Sequence, residues 1–342
     1  MIRSNLHTLG RILGLAALVA PCLVFSTLLR PAGAAEFVMA TVSLTSEDFQ
    51  LAMAWSDLLT QRNTGMRITP VATGTVKGLR NMAQGRADLS LIGAPHYLDA
   101  VNRDGSFKED PPSMIEGYKN LRVLFAIDTG MGQYVVRADS PIHTLADLKG
   151  RRVSIGRPGG NAGRVSVSLF KVHGADAERG EVLTEYLDYG PSLDRLGNGQ
   201  IDATLVWGGL PQAGIDQASR NTPLRFLSPD PGSLTALQGA ISNGAHYLYR
   251  TIPAGRIKEA YGARVASDGD VVFWTFPFMV MVRADLPEQA AYTLCRTFWG
   301  GVDRVRASSA ALALIDQANA ASGLSAELHP GARRCLSELG AL

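Results

Sequence analysis

The sequence predicts an α/β protein built as two lobes around a central cleft. Short apolar strand patterns alternate with helical patterns along the chain, which indicates βαβ units and a largely parallel sheet. An apolar strand followed by Arg-Ala-Asp occurs twice, at residues 135–139 and 281–285. Because the two copies lie far apart, we interpret them as hinge strands, where the chain crosses between lobes near Arg137 and returns near Met279. The expected lobes are residues 35–136 with 275–342, and residues 137–274.

Strands are predicted where short runs of apolar and β-branched residues lie between turn signals. They cover residues 36–42, 67–72, 87–93, 121–127, 133–137, 152–156, 185–189 and 201–207. Helices are predicted where apolar residues recur every three to four positions. They cover residues 46–59, 76–84, 161–173 and 192–198, with a helical turn at 144–148. Thr45 and Asp48 have capping-box spacing at the start of the first helix.

The composition is that of a globular chain. Of 342 residues, 46% are hydrophobic and 19% are charged, which excludes a disordered, collagen-like or coiled-coil protein. The 33 basic and 31 acidic residues give a formal net charge of +2. This near-neutral balance argues against nucleic acid as a partner, because phosphate binding needs a basic face. We expect a monomer.

The first 34 residues have the pattern of a secretory signal peptide. A basic start precedes an uncharged apolar stretch from Ile12 to Leu29, and small residues follow at 32–35. Cleavage is predicted after Ala34, which leaves a mature protein in the periplasm. An uncleaved membrane anchor is the alternative, since the apolar stretch approaches the length of a membrane span.

The predicted ligand-binding residues lie in loops at the ends of strands. In open α/β sheets, ligands bind beyond the carboxyl ends of the strands. The candidates are Ser43, Thr45, Thr73, Gly74, Thr75, Gly93, His96, Arg157, Gly159, Gly160, Asn161, Arg164, Trp207 and Gly208.

The glycine-rich loop at 157–163 is either an anion-accepting helix start or a mere connecting turn. Its glycines allow sharp turns, and the amino end of the helix that follows offers N–H donors and a partial positive charge. Arg157 and Arg164 flank the loop and can clamp a carboxylate, or else are solvated surface side chains. The sequence therefore favours a small organic anion as ligand. His96 either contacts this ligand or is solvated, and Trp207 either roofs the cleft or packs in the core.

Nothing in the sequence indicates catalysis. The GxSxG and HExxH motifs are absent, and the histidines have no metal-ligand spacing. We therefore expect no enzymatic activity, no cofactor and no metal. Two cysteines of the mature chain, Cys295 and Cys335, form either one disulfide or two buried free thiols.

Several motifs run in order through the mature chain. They lie at residues 72–82, 85–92, 134–142, 145–156, 198–203, 251–255, 282–287 and 328–332. With this ordered set, the sequence resembles the solute-binding receptors of TRAP transporters, in the TAXI branch. The loop after the first strand departs from the family's pattern, because it lacks glycine, and Arg157 stands where a small residue is common.

The resemblance implies a type II-like periplasmic-binding-protein fold that closes on a small organic solute. The family's usual solutes are organic acids, including dicarboxylates, and amino acids such as glutamate. The partner would be a TRAP-type membrane permease driven by a sodium gradient. The predicted function is therefore capture of a small organic anion, a carboxylate or an amino acid, for such a transporter. The alternative is a periplasmic ligand sensor that signals through a membrane partner.

Overall fold

The computed structural model describes residues 34–42, 44, 46–158, 160–309 and 312–342. The predicted signal peptide lies outside the described residues except for Ala34, and so do the candidate residues Ser43, Thr45 and Gly159.

Short runs rich in apolar and β-branched residues form thirteen strands in the described part of the chain. They are β1 (Ala35–Thr41), β2 (Met66–Ala72), β3 (Leu89–Gly93), β4 (Leu121–Ile127), β5 (Met131–Arg137), β6 (Arg152–Ser154), β7 (Leu183–Glu185), β8 (Ala203–Gly208), β9 (Leu224–Leu227), β10 (Leu248–Ile252), β11 (Val265–Ala266), β12 (Val271–Thr275) and β13 (Phe278–Arg283).

The connections between the strands carry twelve α-helices within the described residues. They are α1 (Glu47–Gln61), α2 (Thr75–Ala83), α3 (Ala94–Asn102), α4 (Pro112–Lys119), α5 (Asn161–Val172), α6 (Tyr189–Gly197), α7 (Ala213–Ser219), α8 (Leu234–Ala240), α9 (Ala254–Tyr261), α10 (Glu288–Trp299), α11 (Val302–Ser308) and α12 (Pro330–Glu338).

The strands form two separate sheets, which confirms the predicted α/β class. The first sheet has the order β2-β1-β3-β13-β4. The second follows the path β10-β12-β5-β8-β6-β7, with β9 paired to β5 and β11 paired to β9. The chain passes from the first sheet to the second between β4 and β5, and returns between β12 and β13.

The expectation of largely parallel sheets is wrong. β1 runs parallel to β2 and β3, but β13 is antiparallel to both β3 and β4. In the second sheet, β5 is antiparallel to β8, β9 and β12. β5 and β13 run antiparallel to these neighbours because each enters its sheet directly from the other one. Since β5 pairs within the second sheet, the first crossing lies at residues 128–130, before the boundary expected at residue 136.

Two local predictions also need correction. The strand expected at 185–189 is β7, which ends at Glu185, and Asp188 precedes α6 in extended conformation. Pro191 fits the first turn of α6, where its missing N–H is not needed. The first helix begins after Ser46, and Asp48 accepts hydrogen bonds from the N–H groups of Val42 and Phe49 at 2.8 and 3.1 Å. Asp48 therefore organises the loop before the helix.

Each sheet buries apolar side chains against its helices. The first sheet has one continuous core, in which Trp55, Phe125 and Phe298 pack together. The second sheet has a core on each face, and β5 contributes to both because its side chains alternate: Tyr134 enters one core and Val135 the other.

Cys295 of α10 and Cys335 of α12 form a disulfide within the first core, with their Cα atoms 6.3 Å apart. This is the first of the two alternatives that the sequence left open. Among the described residues, no helix has the length and apolar character that a membrane span requires.

Candidate ligand-binding cleft

The amino end of α5 faces α3 of the other sheet. Gly160 takes an extended conformation before the helix, and Arg164 lies one turn further on. Arg164 Nη2 lies 2.5 Å from Asp99 Oδ2 on α3. Asp99 is 95% buried at its side chain, and Arg164 is 28% exposed. The ion pair therefore joins helices that pack on different sheets.

Polar side chains surround this ion pair. Asn161 Oδ1 accepts hydrogen bonds from Arg164 Nη2 at 2.9 Å and from the Tyr247 hydroxyl at 2.7 Å. Asn243 Nδ2 donates to Asp99 Oδ1 at 2.6 Å. Burial raises the pKa of Asp99, and the hydrogen bond from Arg164 opposes that rise. Burial also raises the pKa of Tyr247 to about 12, so its hydroxyl stays protonated.

His96 lies in the first turn of α3, after the carboxyl end of β3. Burial lowers the pKa of His96 to about 3, and the positive charge of Arg164 acts in the same direction. The ring is therefore neutral at physiological pH. It packs edge-on against Phe276, with ring centroids 5.4 Å apart. Gly93 makes this contact possible, since a Cβ atom there would lie 2.1 Å from the Phe276 ring.

Several buried polar atoms around the strand ends have no hydrogen-bond partner among the described residues. Thr41 ends β1 and Ser154 ends β6, while Gln133 lies in the first half of β5. The unpartnered atoms are Thr41 Oγ1, His96 Nδ1, Gln133 Oε1, Ser154 Oγ and Asn161 Nδ2. Leaving a buried polar group unpaired destabilises a protein by about 1–3 kcal/mol, so such atoms indicate a site for a polar guest or water.

A second contact between the sheets lies at the turn after β8. Gly209 N donates to Glu47 Oε1, at the start of α1. Gln133 Nε2 donates to the carbonyl oxygens of Gly208 at 2.7 Å and Gly209 at 2.9 Å. Burial raises the pKa of Glu47 to about 7, although the Gly209 hydrogen bond acts against that rise.

An aromatic cluster lies where the chain crosses between the sheets. Trp207 stacks on Phe276, with ring centroids 5.0 Å apart and planes 21° apart, and it also contacts Trp274 and Phe278. A Cβ atom at Gly130 would lie 2.2 Å from Trp207 Nε1, so glycine is required under this ring. Trp207 is half-buried and packs against the second core and the crossing segments, so the packing role expected for it is observed, and its role as a roof over the ligand stays a prediction.

The segment Thr73-Gly74-Thr75 lies at the carboxyl end of β2 and opens α2. The N–H groups of Thr73 and Gly74 both donate to Thr41 O, at 2.8 and 3.1 Å. Gly74 has a φ of 80°, a conformation that favours glycine. This loop is thereby joined to the end of β1, next to the unpartnered Thr41 hydroxyl.

Arg157 does not join the group around Arg164. Its side chain is 59% exposed and pairs with Asp188, with 3.0 Å between Arg157 Nη2 and Asp188 Oδ2. Arg157 is therefore the solvated surface side chain that the sequence left as one alternative, whereas Arg164 lies between the sheets. The structure thus brings together His96, Asn161 and Arg164, and it leaves Arg157 at the surface.

Five polar residues that form the inter-sheet contacts or hydrogen-bond to residues in them were missed by sequence reasoning. They are Glu47, Asp99, Gln133, Asn243 and Tyr247. Glu47 and Asp48 match the common pattern of acidic residues in the first turn of a helix, so Glu47 did not stand out. The others lie inside helices, strands or short turns with no distinctive spacing, and only the placement of one sheet against the other unites them. Within the described part of the chain, no group of His, Cys, Asp and Glu side chains is arranged to hold a metal ion.

Fold and contacts together define a mixed α/β protein whose two sheets are joined by buried polar contacts. The chain belongs to the NMT1-like family, whose model matches residues 39–340.

Three solved structures of periplasmic binding proteins are among those that match the chain. SsuA, the periplasmic aliphatic sulphonate binding protein from Escherichia coli, is 15% identical; the match covers 82% of this chain and 78% of that chain, with a TM-score of 0.47. The alkanesulfonate-binding protein SsuA from Xanthomonas axonopodis pv. citri, bound to MOPS, is 18% identical over 90% and 84%, with a TM-score of 0.47. A TRAP periplasmic solute binding protein from Pseudomonas aeruginosa, with bound L-malate, is 13% identical over 90% and 91%, with a TM-score of 0.44.

Proposed function

We propose that the chain is a periplasmic solute-binding protein that captures a small organic anion between two lobes. It is exported by the signal peptide at residues 1–34 and delivers the solute to a sodium-coupled TRAP-type permease. One lobe is the first sheet with its helices, residues 35–127 and 278–342. The other is the second sheet with its helices, residues 131–275. The ordered TAXI motifs support the transporter assignment.

The observation that carries the proposal is the set of buried polar atoms without partners. Thr41 and His96 come from the first sheet side, and Gln133, Ser154 and Asn161 from the second. A solute held between the lobes would satisfy atoms from both sides at once. Its binding therefore favours the closed arrangement of the lobes over any open one.

Three helices support an anionic solute. The amino ends of α2, α3 and α5 follow the carboxyl ends of β2, β3 and β6, the usual position of ligand sites in α/β sheets. Free N–H groups and the helix dipole favour negative charge there. Arg164 uses only Nη2 in its hydrogen bonds to Asp99, Asn161 and Tyr247 among the described residues. Its Nε and Nη1 groups remain as donors for a carboxylate.

The test starts with the mature protein, residues 35–342. Thermal-shift screening against organic acids and amino acids identifies a solute, and calorimetry gives its affinity. We expect Arg164→Ala to weaken binding by about 1–3 kcal/mol, the range for a charged hydrogen bond. Arg157→Ala is the matched control and should bind normally, because Arg157 is exposed and pairs with Asp188. Equal affinities of all three proteins would contradict the role of Arg164, and a screen without hits would contradict the proposed function.

The signalling alternative predicts a different genomic and biochemical setting. A permease gene next to this gene supports transport, whereas a sensor-kinase gene supports signalling. Uptake of the identified solute by membrane vesicles carrying the permease, and only with the binding protein present, would decide for transport.

A further inference from the structure

Two hydrogen bonds from the Gln133 side chain hold the turn at Gly208-Gly209 in place. Gln133 Nε2 donates both of its hydrogens, one to Gly208 O at 2.7 Å and one to Gly209 O at 2.9 Å. Gln133 is fully buried in β5 and is the residue that fixes both carbonyl groups. With the carbonyl oxygens directed at Gln133, the Gly209 N–H is free to reach the other sheet.

Glu47 receives that N–H. It is the first residue of α1, on the first sheet side, and its Oε1 atom accepts the hydrogen bond from Gly209 N. Glu47 makes no ion pair with any described residue. Gly208 leaves room for two side chains, since a Cβ atom there would lie 2.5 Å from Gln212 Cγ and 3.1 Å from Glu47 Oε1. Because the two glycines have no side chains, the Glu47 carboxylate can approach the turn closely.

We infer that Glu47 latches the two lobes together through the Gly209 N–H, and that Gln133 is the positioning residue that aims this N–H across the cleft. The inference rests on the lobe closure of the proposed function. The latch needs no solute, because both of its partners belong to the chain. It therefore sets how often the empty protein closes, and through that the affinity for any solute.

The experiment uses the ligand-free mature protein. Closure is measured as the radius of gyration in small-angle X-ray scattering. A second signal is the ¹⁹F resonance of 5-fluorotryptophan at Trp207, which directly precedes the turn. The chain has 4 tryptophans, and Trp207→Phe identifies the resonance of interest.

We expect Glu47→Ala to increase the radius of gyration, shift the Trp207 resonance and lower the closing equilibrium constant roughly tenfold, equivalent to about 1.4 kcal/mol. Glu47→Gln should restore both signals, because its amide oxygen can accept the same hydrogen bond. Asp57→Ala is the control, since Asp57 is exposed on the same helix and should leave both signals unchanged.

Gln133 is tested by a double-mutant cycle. Gln133→Ala should open the protein, but it should add nothing in the Glu47→Ala background, because the N–H that Gln133 positions then has no acceptor. Additive effects would overturn the positioning role. A folded Glu47→Ala variant with wild-type scattering and resonance would overturn the latch. Neither result depends on a solute, so failure of the solute screen and failure of the latch are separate outcomes.

Discussion

Asp99 and Arg164 tie the two sheets together, with Asp99 Oδ2 only 2.5 Å from Arg164 Nη2. Asp99 lies on α3, which follows β3 of the first sheet, and Arg164 lies on α5, which follows β6 of the second. Asn243 adds a second hydrogen bond to Asp99 from the second sheet side. Asp99 thus links the two sheets and neutralises the charge of Arg164 while other donors of the guanidinium stay available.

Removal of the Asp99 carboxylate should destabilise the protein. We expect Asp99→Ala to lower the free energy of unfolding by about 1.5–3 kcal/mol, because Arg164 and Asn243 lose a charged acceptor. Asp104→Ala, at a side chain that accepts a 3.0 Å hydrogen bond from the Ser242 hydroxyl, should change it by less than about 0.5 kcal/mol. Urea denaturation measures both. Equal stabilities of the two variants would contradict the importance of the ion pair.

Closure should depend on pH through Glu47. Burial raises the pKa of Glu47 from the ordinary 4.5 to about 7, so under the proposed closure the closed form would bind a proton more tightly than an open, solvated form. This contribution to closure is fully present below pH 4.5 and is lost as the pH rises through 7. The charged and polar neighbours are Asp48 on the same helix, Tyr189 of α6 and the uncharged turn with Gln133.

The pH effect is measured as solute affinity between pH 5.5 and 8.5. Wild-type affinity should decrease as the pH rises, and Glu47→Gln should remove most of that dependence because its amide does not titrate. Asp48, whose pKa burial raises to about 6, is the second residue of α1 and would account for a residual slope at the acidic end. A wild-type profile that is flat across pH 7 would contradict this prediction.

Gly93 should not tolerate a side chain. A Cβ atom there would lie 2.1 and 2.6 Å from two ring carbons of the buried Phe276, so Gly93→Ala must displace that ring. We expect a loss of about 1–3 kcal/mol in the free energy of unfolding, as for other overpacked sites. Gly190→Ala is the control, because a Cβ atom at Gly190 meets nothing within 4 Å. If thermal denaturation showed Gly93→Ala as stable as Gly190→Ala, the close contact with Phe276 would be wrong.

Loss of the disulfide should lower the melting temperature. Cys295 and Cys335 are separated by 40 residues, and closing a loop of that length is expected to contribute about 4 kcal/mol through the unfolded state. The Cys295→Ala/Cys335→Ala variant should melt at a lower temperature than the wild type. A reducing agent should lower the wild-type melting temperature and leave the double variant unchanged. If the reducing agent left the melting temperature of the wild type unchanged, the bond would be absent.

Local patterns predicted much of the fold. The alternating strands and helices, and the loops at the carboxyl ends of β1, β2, β3 and β6, follow from periodicity and turn residues that neighbouring positions determine. Strand direction did not follow, because nothing within β5 or β13 marks them as antiparallel. Their direction depends on the crossings between sheets, which is a property of the whole chain.

The candidate site was harder to predict for the same reason. Arg157 and Arg164 flank one glycine loop and look alike in sequence, yet one turn of α5 places Arg164 between the sheets while Arg157 meets Asp188 at the surface. The partner of Arg164, Asp99, lies in a helix of the other sheet. Asn243 and Tyr247 lie in a third region of the sequence, between α8 and β10. Contacts between residues so far apart in sequence cannot be predicted from a local pattern.

The position of β13 between β3 and β4 has a consequence for synthesis of the chain on the ribosome. The second sheet is built from one continuous stretch, β5 to β12, and can assemble as soon as that stretch has emerged. The first sheet keeps a gap between β3 and β4 until Arg283 has been made, although its other strands are translated earlier. The half of the protein that begins first is thus completed last, and its nascent strand edges need protection in the meantime.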